Sequence, residues 1–332
     1  MKPISVILPV HNAFPYLEAS VSSVLAQSLR DFEFLIVDDA STDGSLAWLE
    51  QINDDRVRLF KNEKNKGLFY NLNLLIKNSN APLIKIWAQD DIMYPGCLAK
   101  IIEFHGRYPR IGFSYSGRDI IDEMGRVILL NINDVTPEII PVKLHTRIAF
   151  FTGSIAGNIS NVTLAAHAMK TVGLFNESMT ICGDFDMWVR IAKNYDVGFL
   201  KEPLIQLRQH AMQLSRLEKY YINHLEEDLQ VYQNLLSYTD QAETKKGKLL
   251  LRNHKLLFYY TLMAKAFLKG SLKTGYRLSR ILRKFDNLWI LSFYFVRNRM
   301  LFRKKYARMH VDNSEFLSPS PETREEKDNE KH

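Results

Sequence analysis

The stretch Phe32-Glu-Phe-Leu-Ile-Val-Asp-Asp-Ala-Ser-Thr-Asp43 decides the fold. An apolar run of strand length ends abruptly in two adjacent carboxylates and a Ser/Thr/Asp cluster. The same design returns at Leu83-Ile-Lys-Ile-Trp-Ala-Gln-Asp-Asp91. Working outward, Ile4 to Val10 and Val57 to Phe60 read as further strands, while Tyr16 to Gln27, Ser45 to Gln51 and Leu68 to Lys77 carry helical patterns. This alternation predicts an α/β domain with a Rossmann-like, mixed but mostly parallel sheet flanked by helices. Ligands of such sheets bind beyond the carboxyl ends of the strands, so Asp38/Asp39 and Asp90/Asp91 are expected to project into one crevice. Ser41 to Asp43 read as a cap for the helix that follows.

Downstream, a helix is expected from Pro95-Gly96 to about Tyr108, then strands at Ile111 to Tyr115 and Arg126 to Leu130 around the turn Asp122-Glu-Met-Gly125. Phe151 to Ser160 is rich in small residues and reads as a binding loop, and Val162 to Met169 as a strand or short helix. From Leu214 to Arg283 the pattern is helical, with polar linkers at Thr239 to Lys248 and Gly270-Ser271. The Pro-containing, charged tail from 311 to 332 is expected to be disordered.

At 332 residues and 46% hydrophobic content, the chain can bury a large core plus a second region. The apolar run at the N-terminus is too short for a signal peptide, and a cytoplasmic protein is expected. Cys97 and Cys182 lack the sequence spacing of a disulfide framework or zinc site and read as structural thiols. The net charge of +7 is uneven. Residues 241–310 hold 18 Lys/Arg against 2 acids, residues 1–240 hold 23 against 28, and residues 311–332 hold 3 against 7. Such a local positive field favours an anionic surface.

The order strand, Pro9-Val10-His11-Asn12, helix, strand, Val37-Asp38-Asp39-Ala-Ser-Thr-Asp43 resembles the N-terminal half of the family 2 glycosyltransferases with the GT-A fold. Three more blocks follow in the family's order, so that the resemblance covers about residues 3 to 216. These are Asn65-Lys-Gly to Asn73 leading into Trp87 to Asp91, Ile181-Cys-Gly-Asp-Phe-Asp-Met-Trp-Val-Arg190, and Leu207-Arg-Gln-His-Ala-Met-Gln-Leu-Ser215. The resemblance implies that Pro9 and Val10 line the base pocket and that Asp39 accepts a hydrogen bond from the base, with Asn73 and Asp90 on the donor side. Asp91 is implied as ligand of a Mn²⁺ or Mg²⁺ ion, with His210 contacting the metal or diphosphate, and Asp184 as catalytic base. Asp186, Trp188 and Arg190 are expected to be structural. Two positions depart from the family's common form. Ala88 stands where many members carry Asp, which predicts weaker metal binding, and Gly183 stands where many carry Glu.

The expected activity is inverting transfer of a sugar from a nucleotide-diphosphate donor, a UDP-sugar in the well-known cases, to a hydroxyl of a glycan or lipid-linked glycan in cell-surface polysaccharide synthesis. Nucleotidyl transfer is an alternative, although Pro9 to Asn12 offers no Gly-rich phosphate loop. A degenerate membrane-associated scaffold is another. The expected domains are a catalytic domain at 1–216, a basic, aromatic-rich helical extension at 217–310 and the acidic tail. Leu288 to Val296 is too short to span a bilayer. Its basic flanks suit either peripheral contact with anionic lipid on the inner face of the cell membrane or packing on the catalytic domain, and no nucleic-acid motif is evident.

Overall fold

The computed structural model describes residues 1–132, 136–210 and 221–302. The expected disordered tail at 311–332 lies outside the described residues, as does Ser215. The chain divides into two compact units, one formed by Met1–Asn133, Glu138–Thr146 and Ser154–Tyr238, the other by Asp134–Pro137, Arg147–Gly153 and Thr239–His332.

The first unit is built on one sheet whose strands are β1 (Ile4–Val10), β2 (Glu33–Asp38), β3 (Val57–Lys61), β4 (Leu83–Ile86), β5 (Ile92–Met93), β6 (Phe113–Ile121), β7 (Val127–Ile132), β8 (Ile139–Ile140), β9 (Thr163–Ala165) and β10 (Val197–Arg208). The main path runs β3-β2-β1-β4-β9-β6-β10-β5, with β7 paired to β6 and β8 to β10. The β1, β2, β3 and β4 pairings are parallel, β9 is antiparallel to both β4 and β6, and β10 runs parallel to β6. Chain order therefore reverses at β1, which has β2 on one side and β4 on the other, the point beyond which ligands of such sheets bind.

The central strands bury both faces, so they read as continuous apolar runs rather than alternating ones. Ile4, Val6, Leu8, Phe34 and Ile36 are all buried, and α1 (Leu17–Leu25) adds Leu17, Val21 and Val24 to the same core. Between β2 and β3 lies α2 (Ser45–Leu49), and α3 (Leu68–Asn78) follows β3. Farther along come α4 (Cys97–Arg107), α5 (Val142–Thr152), α6 (Ala166–Val172), α7 (Gly183–Ala192) and α8 (Tyr221–Ser237). The segment read as strand or short helix is both: β9 ends at Ala165 and α6 begins at once. The strand expected at 111–115 begins at Phe113 and continues to Ile121.

The second unit contains α9 (Gln241–Leu251), a π-helical turn at Arg252–Leu256, α10 (Leu257–Leu268), α11 (Leu272–Arg283) and α12 (Leu288–Phe302). The polar linker expected at Thr239 to Lys248 is instead mostly helix. The Asp240 side chain accepts from the Glu243 N–H at 2.8 Å, a capping interaction that starts α9. Gly270, at φ 75°, turns the chain from α10 into α11. Arg252 pairs with Asp286 and ties the π-turn to the end of α11.

Candidate active site

The carboxyl ends of β1, β2, β4 and β10 are stitched together by hydrogen bonds. Gln89 closes a reciprocal pair with the backbone of His11, accepting from its N–H at 2.8 Å and donating to its carbonyl at 3.2 Å. The His11 Nδ1 lies 2.8 Å from the Asp39 carbonyl oxygen. Val10, by contrast, is buried, and its carbonyl accepts from the Asp39 N–H at 2.7 Å. Of the two residues expected to line a base pocket, only Pro9 keeps a partly exposed side chain.

Asp39 sits at the tip of β2 and its carboxylate latches the loop that precedes α3. It accepts from Asn62 Nδ2 at 2.7 Å, from the Lys66 N–H at 2.8 Å and from the Gly67 N–H at 2.9 Å. Burial works to raise its pKa, but the hydrogen bonds from Lys66, Asn62, Asn71 and Gly67 outweigh it and hold the group below its ordinary value. It is therefore a fixed, ionised, acceptor-only group.

The two carboxylates after β4 have opposite fates. Asp91, expected as the metal ligand, is only 1% exposed. One of its oxygens accepts from Ser160 Oγ at 2.5 Å and the other from the Arg208 N–H at 2.9 Å. Burial, with the neighbouring Asp90 charge, pushes its pKa up to about 7. Ser160 also accepts, through its carbonyl, from the buried Lys85 ammonium at 2.6 Å. Asp91 is thus the inner anchor of a buried polar network, its oxygens taken up by Ser160 and the Arg208 backbone. The outward neighbour is Asp90, whose Oδ2 lies 2.9 Å from His210 Nε2, both side chains keeping some solvent exposure.

Arg208, in the last position of β10, organises this corner. Its Nε donates to the Asp90 carbonyl at 2.8 Å, and its guanidinium reaches the Asp122 and Glu123 carbonyls and lies 4.7 Å over the Tyr16 ring. Tyr16 in turn packs against His210, with ring centroids 5.0 Å apart. A carboxylate oxygen and an imidazole nitrogen form a donor set that suits Mn²⁺ well, whereas Mg²⁺ prefers oxygen alone. The residues present fit such an ion, with Asp90 and His210 as the available pair. Ala88 adds no ligand; its carbonyl accepts from Ser20 Oγ at 2.8 Å.

Asn73, expected on the donor side, is not presented there. It is buried, donating to the Phe175 carbonyl and Glu177 and accepting from the Phe175 N–H, each at 2.8 or 2.9 Å. It braces α3 against the loop before α7.

Asp184 lies in the first turn of α7 and is only partly exposed. Burial pushes its pKa up to about 6, with the Phe185 N–H at 2.7 Å opposing and the Asp228 and Glu227 charges adding to the rise. The chain links it to the donor side. Gly67 bonds to Asp39, and two residues later the Phe69 ring fills the space beside Gly183, so that a Cβ there would lie 2.6 Å from a ring carbon. This contact explains the departure at Gly183: Phe69 occupies the volume a side chain would need.

Glu227 on α8 was not legible as a site residue. Its carboxylate accepts from the N–H groups of Thr180, Ile181 and Cys182, each at 2.8 Å, and so fixes the turn that presents Asp184. Cys182, read as partnerless in sequence, lies with His224 and Asp228, their ligand-type atoms within 4.8 Å of one another. Asp186 and Arg190 form a 2.8 Å pair, and Arg190 also donates to the Val172 and Leu174 carbonyls, a bracing role.

A mostly parallel sheet flanked by helices, with carboxylates gathered at its reversal point, is the architecture of a GT-A-type domain. Residues 5–162 match the model of glycosyl transferase family 2, and this domain belongs to that family. An uncharacterized glycosyltransferase of Rickettsia conorii is 28% identical over 248 residues, covering 73% of this chain but only 39% of the relative. Staphylococcus aureus TarS 1–349 in complex with UDP-GlcNAc superposes with a TM-score of 0.60 at 18% identity, over 76% of this chain and 70% of that one. The mannosyltransferase PcManGT of Pyrobaculum calidifontis, in complex with GDP-Man and Mn²⁺, gives 0.53 at 15% identity, over 91% and 88% of the two chains. At these identities the two structures establish a shared fold.

Proposed function

We propose that the protein transfers a sugar from a nucleotide-diphosphate donor to a hydroxyl of a glycan or lipid-linked glycan, with inversion at the anomeric carbon, in polysaccharide synthesis. The observation that carries this reading is the outward Asp90–His210 pair set beside the fixed Asp39 carboxylate at the sheet's reversal point. Asp39 and Pro9 hold the base, Asp39 through acceptor capacity left on its ionised oxygens. Asp90 and His210 hold a divalent ion, Mn²⁺ by the chemistry of the pair; when bound, such an ion offsets the charge of the departing diphosphate. Arg208 and Tyr16 fix the orientation of His210 and Asp90.

Asp184 accepts the acceptor hydroxyl's proton as the oxygen attacks the anomeric carbon, the new C–O bond forming while the bond to the diphosphate breaks. A raised pKa keeps a carboxylate basic enough for that step yet ionised at neutral pH. Attack from the face opposite the diphosphate inverts the centre. UDP as the base-bearing product is supported by the TarS complex with UDP-GlcNAc, and GDP by the PcManGT complex, so both belong in the test. The experiment is nucleotide release from UDP- and GDP-sugars with a set of glycan acceptors, with and without Mn²⁺. Acceptor-stimulated release of the nucleoside diphosphate supports transfer. Pyrophosphate chemistry, or no turnover with any donor, rejects it.

A further inference from the structure

In the second unit, α12 is apolar on both sides, and only one side has a partner. Leu291 is buried, the Ser292 hydroxyl lies 2.6 Å from that of Tyr260, and Phe295 packs on the Tyr260 ring at 5.3 Å. On the other side Trp289 is 83% exposed, Phe293 63% and Val296 49%, with Ile290 beside them. The spacing i, i+1, i+4, i+7 puts all four on one face. A helix that is hydrophobic all round is ordinarily covered all round. Among the described residues this face is at most partly covered, Ile290 being 39% exposed.

The charge identifies the occupant. Residues 241–310 hold 18 Lys/Arg against 2 acids, and exposed Arg283 and Lys284 lie at the end of α11, a short turn ahead of α12. An apolar aromatic face with cationic neighbours matches the headgroup zone of an anionic bilayer, where Trp and Phe enter the acyl boundary and Lys and Arg meet phosphate. Nucleic acid would also meet the charge and could stack on Trp289 and Phe293, but it makes no use of aliphatic Ile290 and Val296 on the same face, which an acyl boundary takes in. The 15 described residues of α12 extend about 22 Å, short of the roughly 30 Å hydrocarbon core, and in the sequence Arg297, Arg299 and Arg303 break the apolar run. Among the described residues no helix is long and apolar enough to cross a membrane.

We propose that the Trp289–Ile290–Phe293–Val296 face of α12 docks on the surface of an anionic phospholipid bilayer and lies in it without spanning it. The inference is independent of the transfer reaction. The test is flotation of the full chain with vesicles of phosphatidylcholine alone or with about a third phosphatidylglycerol. Binding is expected only to the anionic vesicles and should weaken as salt rises from about 0.1 M to about 0.5 M. The double variant Trp289→Ser/Phe293→Ser, which alters exposed positions and should keep its circular dichroism and Tm, should lose about tenfold in partitioning. Equal binding to both vesicle types, or a folded double variant that binds like wild type, overturns the proposal. So does a wild-type dimer that dissociates in the variant, or single-stranded RNA binding that the variant abolishes, since either assigns the face to another partner.

Discussion

If Asp184 is the base, its environment sets the acid limb of the rate profile. An ordinary aspartate, near pH 3.8, stays more than about nine-tenths ionised at pH 5, and a rate that depends on it would scarcely change between pH 7 and 5. With its pKa pushed up to about 6 by burial together with the charges of Asp228 and Glu227, Asp184 is only about one-tenth ionised at pH 5. The transfer rate should therefore fall about tenfold between pH 7 and pH 5, and about tenfold more for each further unit of acid. The assay is kcat/KM for the acceptor, whose profile reports the enzyme before the acceptor covers Asp184. Asp184→Asn should keep nucleotide binding and lose transfer. A rate that stays flat to pH 5, or an Asp184→Asn variant that turns over normally, would refute the assignment.

Three further substitutions probe the frame around the site. Gly183→Ala places a Cβ against the Phe69 ring and should cost about 1–3 kcal/mol in denaturant unfolding, with the loss largely relieved by adding Phe69→Leu; an unrelieved loss would show that the ring is not the cause. Ala40 holds φ at 58°, a left-handed conformation that strains a residue with a Cβ, so Ala40→Gly should raise stability, by less than about 1 kcal/mol once the freer unfolded chain is counted. A lowered Tm would contradict this. Asp91 has a folded pKa raised to about 7, above its unfolded value, so its contribution to stability is fullest at low pH and declines as pH rises from about 4 toward 7. Asp91→Asn should accordingly gain on wild type between pH 5 and pH 8, whatever the constant cost of its altered hydrogen bonds; a difference independent of pH would show that Asp91 titrates normally.

The parallel half of the sheet was legible because Ile4 to Val10, apart from Ser5, and Phe34 to Val37 are apolar, as strands buried on both faces must largely be. The strand β10 was not, because Lys201-Glu-Pro203 breaks its apolar run where the ladder to β6 shifts register at Leu200, Pro203 and Ile205. The start of α9 carried a readable Asp240-Gln-Ala-Glu243 capping pattern that its polar composition obscured.

At the site, the acidic pair after β4 was visible, but its orientation was not. Asp90 lies in the turn between β4 and β5 and Asp91 just before β5, so no strand alternation says which of the two faces inward. Which one depends on Ser160 and Arg208, 69 and 117 residues away. The partners of Asn73 are likewise distant in sequence, Phe175 and Glu177. Glu227 carried no local signal at all, since only the fold brings α8 under the turn before Asp184.

The most direct test of the account is calorimetric titration of UDP and GDP in the presence and absence of Mn²⁺. The Asp90–His210 assignment predicts saturable binding of one of these nucleotides that requires the metal, is lost in Asp90→Asn and persists in Asp184→Asn. Binding of neither nucleotide, or binding that is unchanged without Mn²⁺ and in Asp90→Asn, would contradict it.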